Sequence, residues 1–384
     1  MRKAYNFCIL RVPLCAWFLA IPQMLSAQNE PVKYIGPGSC AATSCHGGVK
    51  PIAGSRIFQN EYSTWIIQDK HSRAYQALTG DVGERMARIL KLGSKAEEAP
   101  KCLACHALNP PLEQRGRAFE ISEGVSCENC HDAAGSWLRG HTRADWNYAM
   151  RVTARMRDLR SLYIRANTCV ACHQNIDNDL LKAGHPTLVF ELDSQSVNEP
   201  KHWRDDDPWI GPRAWLTGQA VALREAAWRS RTDSDPAADM QETAVALAWL
   251  LAKATMVEPA LGKISEPVSS DLEPVQKQAD DLARRAPSWN PNIDSTMAIL
   301  RALVATDSEF VVSKETSAQT LWYRARRVVI ALDSLSAALK QNRGAPLKVD
   351  SELNSLHEDV RLRENFAPPQ FAEHVRKFRA ALTK

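Results

Sequence analysis

Eight cysteines of this chain occur in four close pairs, and a histidine directly follows each pair. The last three pairs have the form C-x-x-C-H, whereas four residues separate the cysteines of the first pair, in "CAATSCH". In chain order the four sites are Cys40, Cys45 and His46; Cys102, Cys105 and His106; Cys127, Cys130 and His131; and Cys169, Cys172 and His173. The other two cysteines, Cys8 and Cys15, lie in an N-terminal apolar segment, so none remains for a structural disulfide.

The C-x-x-C-H spacing suits covalent attachment of haem. Its two cysteines lie about one helical turn apart, so both sulfurs can bond the vinyl groups of one haem edge while the adjacent imidazole binds the iron. A single C-x-x-C would equally suit zinc or a redox dithiol. Because a histidine ends all four sites, we predict four covalently bound haem c groups, with these four motif histidines as iron ligands.

The first site departs from the strict motif by two extra residues. We expect "AATS" to bulge outward so that Cys40 reaches the second vinyl group, while Cys45 and His46 keep their usual relation. Gly47 and Gly48 would let the backbone turn close to the porphyrin. The alternative is a disulfide between Cys40 and Cys45 beside an ordinary histidine.

Six other histidines are available as second ligands of the irons. Four of them lie within or just beyond the cysteine-rich stretch and are the predicted distal ligands: His71, His141, His185 and His202. The spacing of Ile67, His71 and Leu78 matches one helical face and predicts that His71 points inward. The alternatives are a hydrogen-bonded core histidine for His71, a propionate contact for His202, and Met150 or Met156 as the ligand of one iron.

Residues 1–27 resemble a secretory signal peptide, with Arg2, Lys3 and Arg11 before a short apolar run. The run is short for a membrane span, and an uncleaved amphipathic anchor is the alternative. Removing this segment lowers the formal net charge from +4 to +1, which gives no indication of nucleic-acid binding. We therefore expect a periplasmic or otherwise exported protein without a transmembrane span in its mature chain.

The organisation predicted for the rest is all-α, with a tetrahaem cytochrome c domain at 28–205 and an α-helical domain at 206–384. Acidic and proline residues in "DDDPWIGP" mark the boundary. Beyond it, Leu216, Ala220 and Leu223 fall on one helical face. This half contains no cysteine, so we expect it to bind no cofactor and to serve packing or docking.

Several stretches together resemble the cytochrome c five-fifty-four family of multihaem cytochromes: "YIGPGSCAATSCHGG", "DKHSRAY", "GVSCENCH", "AGHPTLVFEL" and "HW". The resemblance extends from Tyr34 to Trp203. It implies four haems packed edge to edge and face to face in a small, mostly helical domain that passes electrons between partners outside the cytoplasm. A periplasmic oxidoreductase or a quinol-oxidising membrane complex would be such a partner.

The function predicted from these features is electron relay in a respiratory chain, with no catalytic residue. Paired imidazoles favour low reduction potentials by stabilising ferric iron. One alternative is an oxidoreductase with an open haem iron that acts on a small nitrogen or sulfur oxide. Every site ends in histidine, however, and the lysine-ligated haem of cytochrome c nitrite reductases is missing. Another alternative is a haem-bearing subunit of a membrane redox complex.

The number of covalent haems tests this interpretation directly. Eight cysteines divide without remainder among four sites, so we expect the mature protein to gain the mass of four haems after acid–acetone extraction. A gain of three haem masses, unchanged by Cys40→Ala, would rule out attachment at the first site.

Overall fold

The structure is a computed structural model, and it describes residues 32–55, 57–233, 238–267, 271–314, 316–342 and 347–383. The expected signal peptide at 1–27 lies outside these residues. The described chain folds into fifteen α-helices joined by short 3-10 helices and loops, without a β-strand, so the all-α prediction is confirmed. None of these helices is both long and apolar enough to cross a membrane.

The fifteen helices follow one another along the chain as α1 (Glu61–Gln68), α2 (Asp81–Leu90), α3 (Pro100–His106), α4 (Cys127–His131), α5 (Tyr148–Thr153), α6 (Leu162–His173), α7 (Asn178–Lys182), α8 (Leu192–Asn198), α9 (Ile210–Thr232), α10 (Ala238–Val257), α11 (Glu273–Arg285), α12 (Ile293–Val304), α13 (Ala318–Asn342), α14 (Asp350–Val360) and α15 (Pro368–Ala381). The first eight are short and surround the cysteine pairs, whereas α9 to α15 build a helical bundle.

Each strict C-x-x-C-H motif forms the last turn of a helix. Helices α3, α4 and α6 all end at their motif histidine. Local sequence begins them: Pro100 occupies the first turn of α3, Ser126 and Asn129 form a capping box on α4, and Ser161 caps α6. A helical last turn holds both cysteines on one side, as thioether attachment to one group requires.

The bundle residues form one apolar core that also includes helix α6. Leu216, Ala220 and Leu223 are fully buried, as the predicted helical face requires. The same core contains Leu162 and Val170 of α6, which carries the fourth cysteine pair. Helix α9 therefore packs directly against a haem-site helix, while the boundary at 205/206 stays a prediction.

The predicted continuous helix through His71 is wrong. Helix α1 ends at Gln68, and Ile67 is exposed. The Asp69 side chain accepts the backbone N–H of His71 and begins a separate 3-10 helix, Lys70–Arg73. A short acidic side chain that binds nearby backbone amides competes with the helix, which is why the apolar spacing did not predict this break.

Glycine 218 is expected to be essential for the contact between α8 and α9. Alanine normally stabilises a helix interior by about 1 kcal/mol over glycine. A Cβ at Gly218, however, would lie 2.7 Å from Leu192 Cβ and 3.0 Å from its backbone nitrogen. We expect Gly218→Ala to lower the free energy of unfolding in urea by about 1–3 kcal/mol. The control is Gly211→Ala on the same helix, where the Cβ meets only the movable Asp193 carboxylate, and it should change the free energy of unfolding little. A Gly218→Ala protein that is more stable than the unmodified protein would contradict the packing described.

Candidate haem-binding site

Three motif histidines each face one of the predicted distal histidines. The distances between ring centroids, and the angles between ring planes, are 6.0 Å and 15° for His46 and His141, 5.9 Å and 83° for His71 and His173, and 6.4 Å and 81° for His106 and His185. Each pair combines residues far apart in the chain, so the tertiary structure brings them together.

These distances fit one metal ion held between two imidazoles. A bond of about 2 Å from each nitrogen to the metal, added to the size of two five-membered rings, separates the ring centroids by about 6 Å. The three observed separations agree with this value. The donor set, two neutral nitrogen ligands beside a cysteine pair, fits a covalently attached haem.

The remaining motif histidine, His131, lies near the remaining distal histidine. Burial lowers the pKa of the His131 imidazole to about 4, and the charge of His202 is the next cause. The His202 Nδ1 lies 3.2 Å from the Pro200 carbonyl, and its ring packs edge-on against Trp203. His131 is thus buried, and the partly exposed His202 is close enough for its charge to act on it.

Backbone carbonyls orient several of these imidazoles. The Nδ1 atoms lie within hydrogen-bond distance of the following carbonyl oxygens: Ala74 for His106, Leu138 for His141, Pro186 for His185 and Pro200 for His202. A carbonyl can only accept, so each of these bonds places the proton on Nδ1. The Nε2 atom is then the free ligand nitrogen, and the ring orientation is set by its partner.

Two other imidazoles contact carboxylates. Glu61 Oε2 lies 2.9 Å from His46 Nδ1, and Asp69 Oδ1 lies 3.0 Å from His71 Nδ1. The hydrogen bond to Glu61 raises the pKa of the His46 imidazole, although burial opposes this. Burial also opposes the charge of Glu61, but the bonds from His46 and from backbone amides lower the pKa of its carboxyl.

Two carboxylates and an imidazole lie close together beside two of the sites. Ligand atoms of Asp69, His71 and Glu199 lie within 4.8 Å of one another, a spacing that could hold a metal ion. Glu199 also lies 4.0 Å from His202 Nδ1. A cation bound by these three would displace the contact between Asp69 and His71, so we interpret the group as a hydrogen-bonding network around the imidazoles.

Cysteines of different sites touch one another. The Cys40 thiol hydrogen-bonds with Cys127, which lowers the pKa of Cys40. The bond from Cys172 likewise lowers the pKa of Cys105 to about 7. Burial raises the pKa of Cys130 to about 12, and the charge of Cys169 adds to this rise. These effects are consistent with a row of sites in the order first, third, fourth, second.

The first site replaces the helical turn of the other three with an exposed loop. Cys40 ends a 3-10 helix and is buried, and the residues after it turn outward until Cys45, which is exposed. The Ala42 carbonyl accepts the N–H groups of Cys45 and Gly47 at 2.8 and 3.0 Å. The residues between the two cysteines thus bulge outward, and no disulfide joins Cys40 to Cys45.

Some buried donors in the described residues have no hydrogen-bond partner. In the cysteine-rich region these donors are His131 Nδ1, Trp137 Nε1, Trp146 Nε1 and Arg151 Nε, and the bundle has others, such as Trp215 Nε1. Trp137 also packs edge-on against the His141 ring, at 5.4 Å between centroids. Donors of this kind suit carboxylates such as haem propionates, and they fit the presence of the group.

Sequence reasoning named all eight imidazoles but missed Glu61 and Asp69. Asp69 precedes His71 by two residues, and this proximity was a usable signal. Glu61 follows His46 by fifteen positions, so only the fold of the loop between them brings the two groups together. The sequence did not indicate which distal histidine faces which motif histidine.

Comparison with known proteins gives one match. The family described as cytochrome c554 and c-prime matches residues 40–132, less than half of the chain. This range includes the first three cysteine pairs and supports a cytochrome c family, with covalently bound haem c and haem-based electron transfer. No curated protein and no solved structure matches the chain.

The loop of the first site gives a specific test at Gly47. A Cβ there would lie 1.9 Å from the Ala41 carbonyl oxygen, so Gly47→Ala must distort the turn that holds Cys45 and His46. We expect the protein to lose the mass of one haem and to keep the others. Gly38→Ala is the matched control, because a Cβ at Gly38 meets nothing within 4 Å. A full haem complement in Gly47→Ala would contradict this role of the turn.

Proposed function

We propose that this protein is an exported tetrahaem c-type cytochrome that relays electrons between redox partners. The observation that carries the proposal is the pairing of motif histidines with distal histidines at separations that suit one iron. When bound, each haem supplies an iron that alternates between the ferric and ferrous states. The chain supplies the cysteines that form thioethers, the imidazole ligands and the buried environment of the haems.

The proposed ligand sets follow from the pairs. They are His46 with His141 at the first site, His106 with His185 at the second, His131 with His202 at the third, and His173 with His71 at the fourth. Two imidazoles at each site leave no position open for a small substrate, which favours relay over the oxidoreductase alternative. The third pair joins the two remaining histidines, and the charge of His202 acts on the buried His131 imidazole.

The row of attachment sites supports transfer through the protein. Sulfur contacts connect the first site to the third and the second site to the fourth, and charge effects connect the third to the fourth. The first and second sites would then form the two ends at which partners exchange electrons. Exposure of Cys45 makes the first end accessible from solvent.

The partners proposed are a periplasmic oxidoreductase or a quinol-oxidising membrane complex. The signal-peptide pattern of residues 1–27 supports export, and the family match supports redox partners. The bundle of α9 to α15 would serve assembly, since α9 packs against α6 and α8. Docking of this bundle to a membrane complex is the subunit alternative.

Electron paramagnetic resonance of the oxidised protein tests the ligand pairs. Nearly parallel imidazole planes give a rhombic low-spin ferric signal, whereas nearly perpendicular planes give a highly anisotropic signal with a large maximal g value. We therefore expect a rhombic signal from the 15° pair and strongly anisotropic signals from the 81° and 83° pairs. His141→Ala should remove the rhombic signal, and His185→Ala should remove one anisotropic signal.

The control is His357→Ala, an exposed histidine of the bundle, which should leave all signals unchanged. Each distal variant should also show one new high-spin ferric signal. A full equivalent of high-spin haem in the unmodified protein, together with tight binding of cyanide, would contradict the relay and favour the oxidoreductase.

A further inference from the structure

Two of the proposed ligand histidines differ from the others in the partner of Nδ1. His46 and His71 contact carboxylates, whereas His106 contacts a neutral backbone carbonyl. His131 Nδ1 is buried without a partner. All four proposed sites thus have two imidazole ligands, but the charge of the group that contacts Nδ1 differs between the sites.

Glu61 is held firmly against His46. Its Oε2 lies 2.9 Å from His46 Nδ1, while Oε1 accepts the backbone N–H groups of Phe58 and Gln59 at 2.7 and 3.1 Å. The side chain is 14% exposed, so water screens it little. Three hydrogen bonds to one carboxylate fix both its position and the direction of its charge.

Asp69 occupies the equivalent position at the fourth site. Its Oδ1 lies 3.0 Å from His71 Nδ1 and accepts the backbone N–H of the same residue at 3.0 Å. The side chain is 6% exposed. The opposite ligand, His173, faces the neutral amide of Gln195 at 3.3 Å, so Asp69 is the charged partner of this pair.

The second and third sites have neutral partners instead. At the second site, His106 and His185 both contact backbone carbonyls, at 2.8 and 2.9 Å. At the third site, His202 contacts the Pro200 carbonyl, and the Glu199 carboxylate lies farther from its Nδ1, at 4.0 Å.

A carboxylate that contacts Nδ1 changes the reduction potential of a metal ion bound at Nε2. The hydrogen bond increases the basicity of the imidazole, and the negative charge, in a region of low dielectric constant, stabilises the more positive ferric state. We propose that Glu61 and Asp69 are positioning residues that lower the reduction potentials of the first and fourth sites below those of the second and third. This inference rests on the proposed haem ligation.

The placement of these carboxylates makes the two ends of the row unequal. The first end contains Glu61, and the second end has only neutral carbonyl partners. Along the row the potentials would alternate between lower and higher values, so the step from the third site to the fourth is unfavourable. The net transfer from a donor at the first site to an acceptor at the second is favourable, because the first end has the lower potential.

A redox titration of the full-length holoprotein, monitored by electron paramagnetic resonance, tests the proposal. The rhombic signal that is lost in His141→Ala identifies the first site, so its midpoint potential can be followed individually. In Glu61→Gln we expect this midpoint to rise, with about a tenfold change in the ferrous-to-ferric ratio, equivalent to about 59 mV. The other midpoints should move much less.

The matched control is Glu225→Gln. Glu225 is similarly buried, with 17% of its side chain exposed, but it contacts Arg224 and Asn175 and none of the paired histidines. Asp69→Asn should raise a different midpoint, that of one anisotropic signal. Its control is Asp307→Asn, a buried aspartate of the bundle that pairs with arginines.

The outcomes separate this inference from the proposed function. Four low-spin haems with midpoints unchanged in Glu61→Gln and Asp69→Asn would overturn the inference and leave the relay intact. Fewer than four haems, or high-spin iron in the unmodified protein, would overturn the relay itself. If both variants lose haem, the unmodified protein still tests the inference. A midpoint potential of the rhombic signal above the average of the four haem midpoints would overturn it.

Discussion

A contact at Nδ1 holds the imidazole of seven of the eight proposed ligands in place, and the arrangement of the cysteine-rich region depends on these contacts. An imidazole has two nitrogens, and fixing one decides where the other points. The same contacts also connect local elements: the Ala74 carbonyl that meets His106 directly follows the short 3-10 helix that contains His71. Short local elements therefore serve two sites at once.

The region around the cysteines has little apolar core of its own. Its separate cluster of buried apolar residues is small: Leu78, Ala87, Ala96, Leu103 and Ala107. The large core lies in the bundle and reaches the haem region through α6. A small domain buries too little surface to be stable alone, so this region depends on the bundle on one side and, in the proposed holoprotein, on the macrocycles on the other.

Buried charge within the described residues also joins the two regions. Arg327 of α13 is fully desolvated, which lowers the pKa of its guanidinium to about 10. It donates to the Phe190 carbonyl and to Gln219 of α9, at 3.1 and 3.2 Å. The segment it holds runs between His185 and helix α8, whose Gln195 meets His173. The bundle thereby fixes the path of the chain between two proposed ligands.

The sequence alone predicted the all-α class, which the structure confirms, and it predicted the attachment chemistry and the eight candidate ligand histidines, because thioether spacing and an adjacent imidazole are local properties of C-x-x-C-H. It also predicted the buried face of α9 from 3.6-residue periodicity. It did not predict the break before His71, where Asp69 binds backbone amides. Only the tertiary structure decided which imidazoles pair and which of them contact Glu61 or Asp69, because these contacts join residues separated by long loops whose paths depend on packing.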